Sequence, residues 1–229
     1  MKSVLAILAM AAVVLPARAS AQDDDAALGS IYARIGGGIS FVNDWEQDFT
    51  FNPATPNLTL NGQTVALDNG WVAGGALGFD YADGIRTELE YRYASTNIEN
   101  VTLDTTTGPA PTLSLNDDIS GHFLFTNFYF DFGNASPLTP FIGGGVGGAF
   151  IENENAQRDA ALAYQGRAGV SYEFGGGLMA DVEYIYTRTN QFSFGPDLDD
   201  LEPGGPAGPN ITGDRYEASS VMVSLRKHF

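Results

Sequence analysis

Ile85-Arg-Thr-Glu-Leu-Glu-Tyr-Arg-Tyr93 alternates almost without error. Ile85, Thr87, Leu89, Tyr91 and Tyr93 take one phase; Arg86, Glu88, Glu90 and Arg92 take the other. A period of two assigns an extended strand with one apolar and one charged face. Such a strand has two homes. In a soluble sandwich or a lipocalin-like barrel the charges meet water, whereas in a membrane barrel the apolar face meets lipid and the charges point inward. The period alone does not distinguish inside from outside, so the rest of the chain has to decide.

Seven more runs share the pattern. Before it stand Ile31 to Phe41, with Ile31, Ala33, Ile35, Ile39 and Phe41 in phase, and Trp71 to Tyr81, with Trp71, Ala73, Leu77, Phe79 and Tyr81 in phase. After it come Leu124 to Phe132, the glycine-rich Phe141 to Phe150, Leu162 to Phe174, Leu178 to Tyr186 and Ser219 to Phe229. Each is near the 9–11 residues that cross a bilayer at about 45° tilt, longer than the usual soluble strand. The connections alternate in length. Residues 43–69, 95–118, 152–160 and 189–214 read as long linkers, while 82–84, 133–138 and 175–177 read as tight turns. An up-and-down barrel with both ends on one side of a membrane sorts its connections this way, and a Greek-key sandwich does not.

The N-terminus adds export. Lys2 precedes an apolar run from Val4 to Leu15, followed by the small residues of Ala17-Arg-Ala-Ser-Ala21. That order, with an apolar run too short to span a bilayer as a helix, predicts a signal peptide over 1–21. A periplasmic tail over 22–30 and a barrel domain over 31–229 then follow. Removing Lys2 and Arg18 takes the formal charge from -17 to -19. So acidic a chain, without clustered Lys and Arg, argues against a nucleic-acid partner. With no cysteine there are no disulfides and no Cys-ligated metals.

The expected fold class is therefore all-β, an eight-stranded antiparallel up-and-down transmembrane β-barrel with lipid outside. Aromatic residues near strand ends, among them Phe41, Trp71, Tyr81, Tyr91, Tyr93, Phe132, Phe150, Tyr172, Phe174, Tyr184 and Tyr186, suit interfacial girdles. The opposite phase places Arg34, Arg86, Arg92, Arg167 and Arg226 in the lumen with Asp80, Glu88, Glu90, Asp131, Glu173, Asp181 and Glu183. Unpaired charges in so narrow a space are costly, which predicts a paired network. At the other end of the chain, Phe229 closes a strand on which Val221, Val223 and Leu225 share its lipid face and Arg226 points inward.

Gly84-Ile-Arg-Thr-Glu-Leu-Glu-Tyr-Arg-Tyr93, Asn127-Phe-Tyr-Phe-Asp-Phe132, Thr139-Pro-Phe-Ile-Gly-Gly-Gly-Val-Gly148, Gly166-Arg-Ala-Gly-Val-Ser-Tyr172 and the terminal Phe resemble the small eight-stranded outer-membrane β-barrel family, which includes opacity-like and porin-family surface proteins of proteobacteria. The resemblance runs from about Ile31 to Phe229. It implies the Gram-negative outer membrane, with loops outside and both mature termini in the periplasm, and outer-membrane lipid as a partner. It also implies that Phe229 is read as an assembly signal by the barrel-assembly machinery. Functions in that family are diverse, so the resemblance implies no activity.

Other motifs lead nowhere. Gly143, Gly145 and Gly148 have GxGxxG spacing, but no helix follows. Asp197-Leu-Asp-Asp-Leu-Glu202 is acidic without the spacing of a calcium loop. His122 beside Ser120 is conceivable as a rim hydrolase or acyltransferase, although a structural histidine at a membrane interface is the preferred reading. No cofactor, metal or enzymatic activity is expected. A structural or surface-recognition role through long extracellular loops, with an unknown extracellular ligand, is favoured over a narrow pore and over a membrane enzyme, because eight strands leave an interior that side chains fill.

Overall fold

The computed structural model describes residues 29–50, 60–81, 83–105, 112–153, 158–191, 210–212 and 215–229. The expected signal peptide at 1–21, most of the tail at 22–30 and the acidic run 197–202 lie outside the described residues.

Among the described residues, eleven strands form one antiparallel sheet. They are β1 (Ser30–Val42), β2 (Trp45–Thr50), β3 (Leu60–Leu67), β4 (Gly70–Tyr81), β5 (Ile85–Thr105), β6 (Thr112–Asp131), β7 (Leu138–Asn153), β8 (Arg158–Gly175), β9 (Leu178–Gln191), β10 (Asn210–Thr212) and β11 (Arg215–His228). Strand β1 pairs with both β4 and β11, and β5 pairs with both β4 and β6. The ring β1-β4-β5-β6-β7-β8-β9-β11 is thereby closed. Closure leaves this eight-stranded ring without edges, which is what an antiparallel sheet needs in lipid.

One end of the barrel carries tight turns and both ends of the wall. Gly84 (φ 78°) and Gly175, Gly176 and Gly177 (φ 95°, 63° and 76°) adopt left-handed backbone there, which only glycine takes at little cost. The ends of the wall are stitched together where the Phe229 amide donates to the Ile31 carbonyl at 2.9 Å.

The other end differs from the expected linkers. Strand β5 runs for 21 residues and β6 for 20, well beyond the length that crosses a bilayer. Residues 43–69, expected as a linker, hold β2 and β3; residues 189–214 include β10; and β7 and β8 continue to Asn153 and from Arg158. Strand β3 pairs with the upper part of β5, β2 with β3, and β10 with β2. The wall is therefore built upward on one side. The pairing rests on backbone hydrogen bonds, which need no apolar alternation in the sequence and leave none to read.

Alternation sorts the faces. Ile35 (71 % exposed), Leu77 (66 %) and Val223 (56 %) point outward, whereas Arg86, Glu88, Glu90 and Arg226 are 1 % exposed inside. A one-residue slip would exchange the two sets, so the register is strongly specified. Single cysteines at Leu89 and Tyr91, on the outward face, are expected to react with a lipid-phase label in vesicles. Cysteines at Ser40, Ser171 and Ser220, which are buried inside, are expected to be spared; labelling of the second set would reverse the assignment of faces.

Candidate functional site

The barrel interior is the most elaborate arrangement in the molecule. At its centre Arg34, from β1, meets Glu88 of β5 through two hydrogen bonds, Nε to Oε2 at 2.9 Å and Nη2 to Oε1 at 2.6 Å. Its Nη1 donates to Glu183 of β9. Arg167 of β8 also grips Glu183 twice, at 3.0 and 2.8 Å, and reaches Glu90 at 2.7 Å. Two guanidinium groups are thus shared among three carboxylates.

Neutral donors complete the shell. The Asn127 amide donates to Glu88 at 3.1 Å and to Glu90 at 2.9 Å; Gln165 donates to Glu90 at 3.0 Å and to the Asn127 oxygen at 2.7 Å; Tyr129 donates to Glu88 at 3.0 Å. Buried carboxylates are tolerated because their lone pairs are taken up in this way.

Towards the turn end, Arg86 makes a bidentate pair with Asp131 at 2.6 and 2.8 Å, its guanidinium 4.5 Å from the centre of the Tyr129 ring. Arg226 binds Asp181 at 3.1 Å and the Ser171 hydroxyl at 2.9 Å. Towards the loop end, Arg92 donates to Thr187 at 2.8 Å and lies over Phe123 and Phe125, 5.4 and 5.1 Å from their ring centres. Phe123, Phe125, Tyr216, Ile185 and Met222 belong to one buried apolar cluster, with Phe125 opposite Glu90 on β5 and Met222 opposite Glu183 on β9. A cavity of about 10 Å³, bordered by Ser40, Thr96, Ile119 and Tyr216, adjoins this cluster and has room for a single water.

Ten of the residues singled out from the sequence are thus found in the lumen: Arg34, Arg86, Glu88, Glu90, Arg92, Asp131, Arg167, Asp181, Glu183 and Arg226. Glu173 is the exception. It is exposed next to the shift in register between Glu173 and Gly175, where the wall ends and the alternation no longer dictates the face. Asp80, also expected inside, is half-buried at the turn end, 4.0 Å from His228.

The inward aromatics Tyr32, Phe123 and Phe125 are not among the residues expected in the lumen. Tyr32 is in phase with Arg34, a usable signal, but Phe123-Leu-Phe125 is apolar in both phases and conceals its inward pair.

The histidines form no catalytic constellation among the described residues. His122 stands on the outer phase of β6, its Nδ1 2.7 Å from the Tyr91 hydroxyl and its ring against Tyr93. Ser30, His228 and Asp80 come together at the turn end, but the Ser30 hydroxyl at 2.9 Å and the Asp80 carboxylate at 4.0 Å both face the same ring nitrogen. A base that takes a proton from serine needs its other nitrogen for the carboxylate. Phe229 is 78 % exposed at the turn end.

The family model described as surface antigen matches residues 39–194, most of the barrel wall. The chain belongs to the surface antigen family. The chain is 29 % identical over 184 residues to an outer membrane protein of Gluconacetobacter diazotrophicus, a match that takes in 72 % of the chain and 48 % of the relative. The chain thus spans about half the length of that relative. A Brucella suis biovar 1 protein is 24 % identical over 232 residues, covering 86 % of the chain and 80 % of that protein. Among solved structures, Neisserial surface protein A matches with a TM-score of 0.54 at 12 % identity, over 87 % of this chain and 97 % of that one. The outer membrane protein OprG from Pseudomonas aeruginosa matches with a TM-score of 0.53 at 16 % identity, over 87 % and 96 %. At such identities the structures establish a shared fold. The protein is an outer-membrane β-barrel of a Gram-negative bacterium.

Proposed function

We propose that the protein is a closed, non-conducting barrel that carries recognition on its loop end, with that end outside the cell and the turn end in the periplasm. The observation that carries this reading is the filled lumen, which the shared Arg34–Glu88–Glu183–Arg167 cluster and the buried apolar cluster of Phe123, Phe125, Ile185, Tyr216 and Met222 occupy together. A solute would have to break buried charge pairs that fill the interior, which is unfavourable. What remains for interaction is the loop end, where β5 and β6 extend the wall and β2, β3 and β10 broaden it. Surface loops held on a rigid scaffold are where binding residues concentrate.

Two measurements test the reading. Planar bilayers containing the purified protein are expected to show no steady conductance; a stable, large conductance would favour a pore. Protease or label applied to intact cells is expected to reach residues 192–209 and to spare the turn at 175–177, and the reverse pattern would invert the orientation.

A further inference from the structure

The chain has eleven Lys and Arg against 28 Asp and Glu, so where each cation stands is informative. Five arginines line the lumen, and Lys2 and Arg18 precede the barrel. Lys227 donates to the Gly176 carbonyl at the turn end. Arg188 and Arg215 are left on the outward face at the loop end, and Arg158 begins β8 at that same end.

These two arginines are not scattered. They border one open concavity of about 500 Å³ together with Tyr164, Thr189 and Asn190. Arg188 on β9 sits directly opposite Tyr164 of β8 on one side and Glu217 of β11 on the other. Its Nε lies 2.7 Å from one oxygen of the Glu217 carboxylate, whose other oxygen accepts from the Tyr186 hydroxyl at 3.2 Å. Arg188 is thereby held in place, with its side chain still 31 % exposed.

The order along the outward face of β9 is Val182, Tyr184, Tyr186, Arg188 and Asn190. Read from the membrane interior, that is hydrocarbon, then aromatic residues at the interface, then a cation at headgroup depth. At about 3.3 Å per residue, Arg188 stands roughly 13 Å along the strand beyond Tyr184. A guanidinium at that level faces lipid phosphates, which its planar fork binds through two parallel hydrogen bonds.

We propose that the outward face of the β8–β9–β11 seam at the loop end is a binding site for the phosphate headgroup of an anionic membrane lipid, held by Arg188 and Arg215. The site needs only that the barrel spans a membrane. It stands whichever way the barrel is oriented, and the labelling of intact cells described above tests orientation separately.

The experiment is native mass spectrometry of the detergent-purified barrel doped with phosphatidic acid or with phosphatidylcholine of the same acyl chains. The wild type is expected to retain phosphatidic acid in preference. Arg188→Gln with Arg215→Gln is expected to lower that retention by about ten-fold, as the loss of two charge-assisted contacts implies. Lys227→Gln, at the far end, is expected to leave it unchanged. Circular dichroism establishes that each variant is folded; if the double variant is not, Arg215→Gln alone, at an exposed position, is expected to weaken retention by a smaller factor. Equal retention of the two lipids, or unchanged retention in the folded variant, would overturn the site. Displacement of the lipid by millimolar inorganic phosphate would also overturn it, since the pocket would then recognise free phosphate and not a membrane lipid.

Discussion

Arg34→Met is expected to destabilise the barrel by about 3–5 kcal/mol, the range for removing one partner of a buried ion pair. Arg34 hydrogen-bonds two carboxylates, 54 and 149 residues away in the chain, and lies 3.6 Å from a third, Glu90. Without it, Arg167 is left to balance Glu88, Glu90 and Glu183 at the centre of the cluster, at 3.7, 2.7 and 2.8 Å. Asn127, Tyr129 and Gln165 still donate to Glu88 or Glu90, but neutral donors do not cancel charge. Adding Glu88→Gln to Arg34→Met removes the surplus anion. The double variant should therefore be more stable than the single losses sum to, by a coupling on the order of 0.5–3 kcal/mol. Urea titration of the barrel in lipid vesicles, followed by the fluorescence of its two tryptophans, measures both effects. Additive losses would mean that the lumen residues act as independent fillers and not as a shared network.

Ile35→Arg tests the other face, with nearly as large an expected effect. Ile35 is 71 % exposed in the middle of β1, opposite Leu225 on β11. Were that face in water, the substitution would change stability by less than about 0.5 kcal/mol. Against lipid, an arginine near the midplane costs about 2–4 kcal/mol, and less towards either interface. The same substitution at Phe41, near the loop end of β1, is therefore expected to be milder than at Ile35. Equal and negligible effects at the two positions would mean that the outward face meets water.

The sequence by itself determined the strands of the wall, their faces and their sorting by connection length. Ile85 to Tyr93 is legible because the side chains of a strand alternate locally, and because the identity of each residue reveals which environment its face meets. The same local rule placed Arg34, Arg167 and Arg226 in the lumen from strands far apart in the chain. It failed where the alternation carries no information. At Glu173 the wall is ending, at Phe123-Leu-Phe125 both phases are apolar, and at β2, β3 and β10 the pairing needs only the backbone.

Only the tertiary structure decided who meets whom. That Arg34 shares Glu88 and Glu183, that Arg86 takes Asp131 and Arg226 takes Asp181, and that Arg188 and Arg215 border one concavity all depend on the relative stagger of neighbouring strands around a closed ring. Stagger is a property of closure, set by the number of strands and their tilt together, and no single strand encodes it.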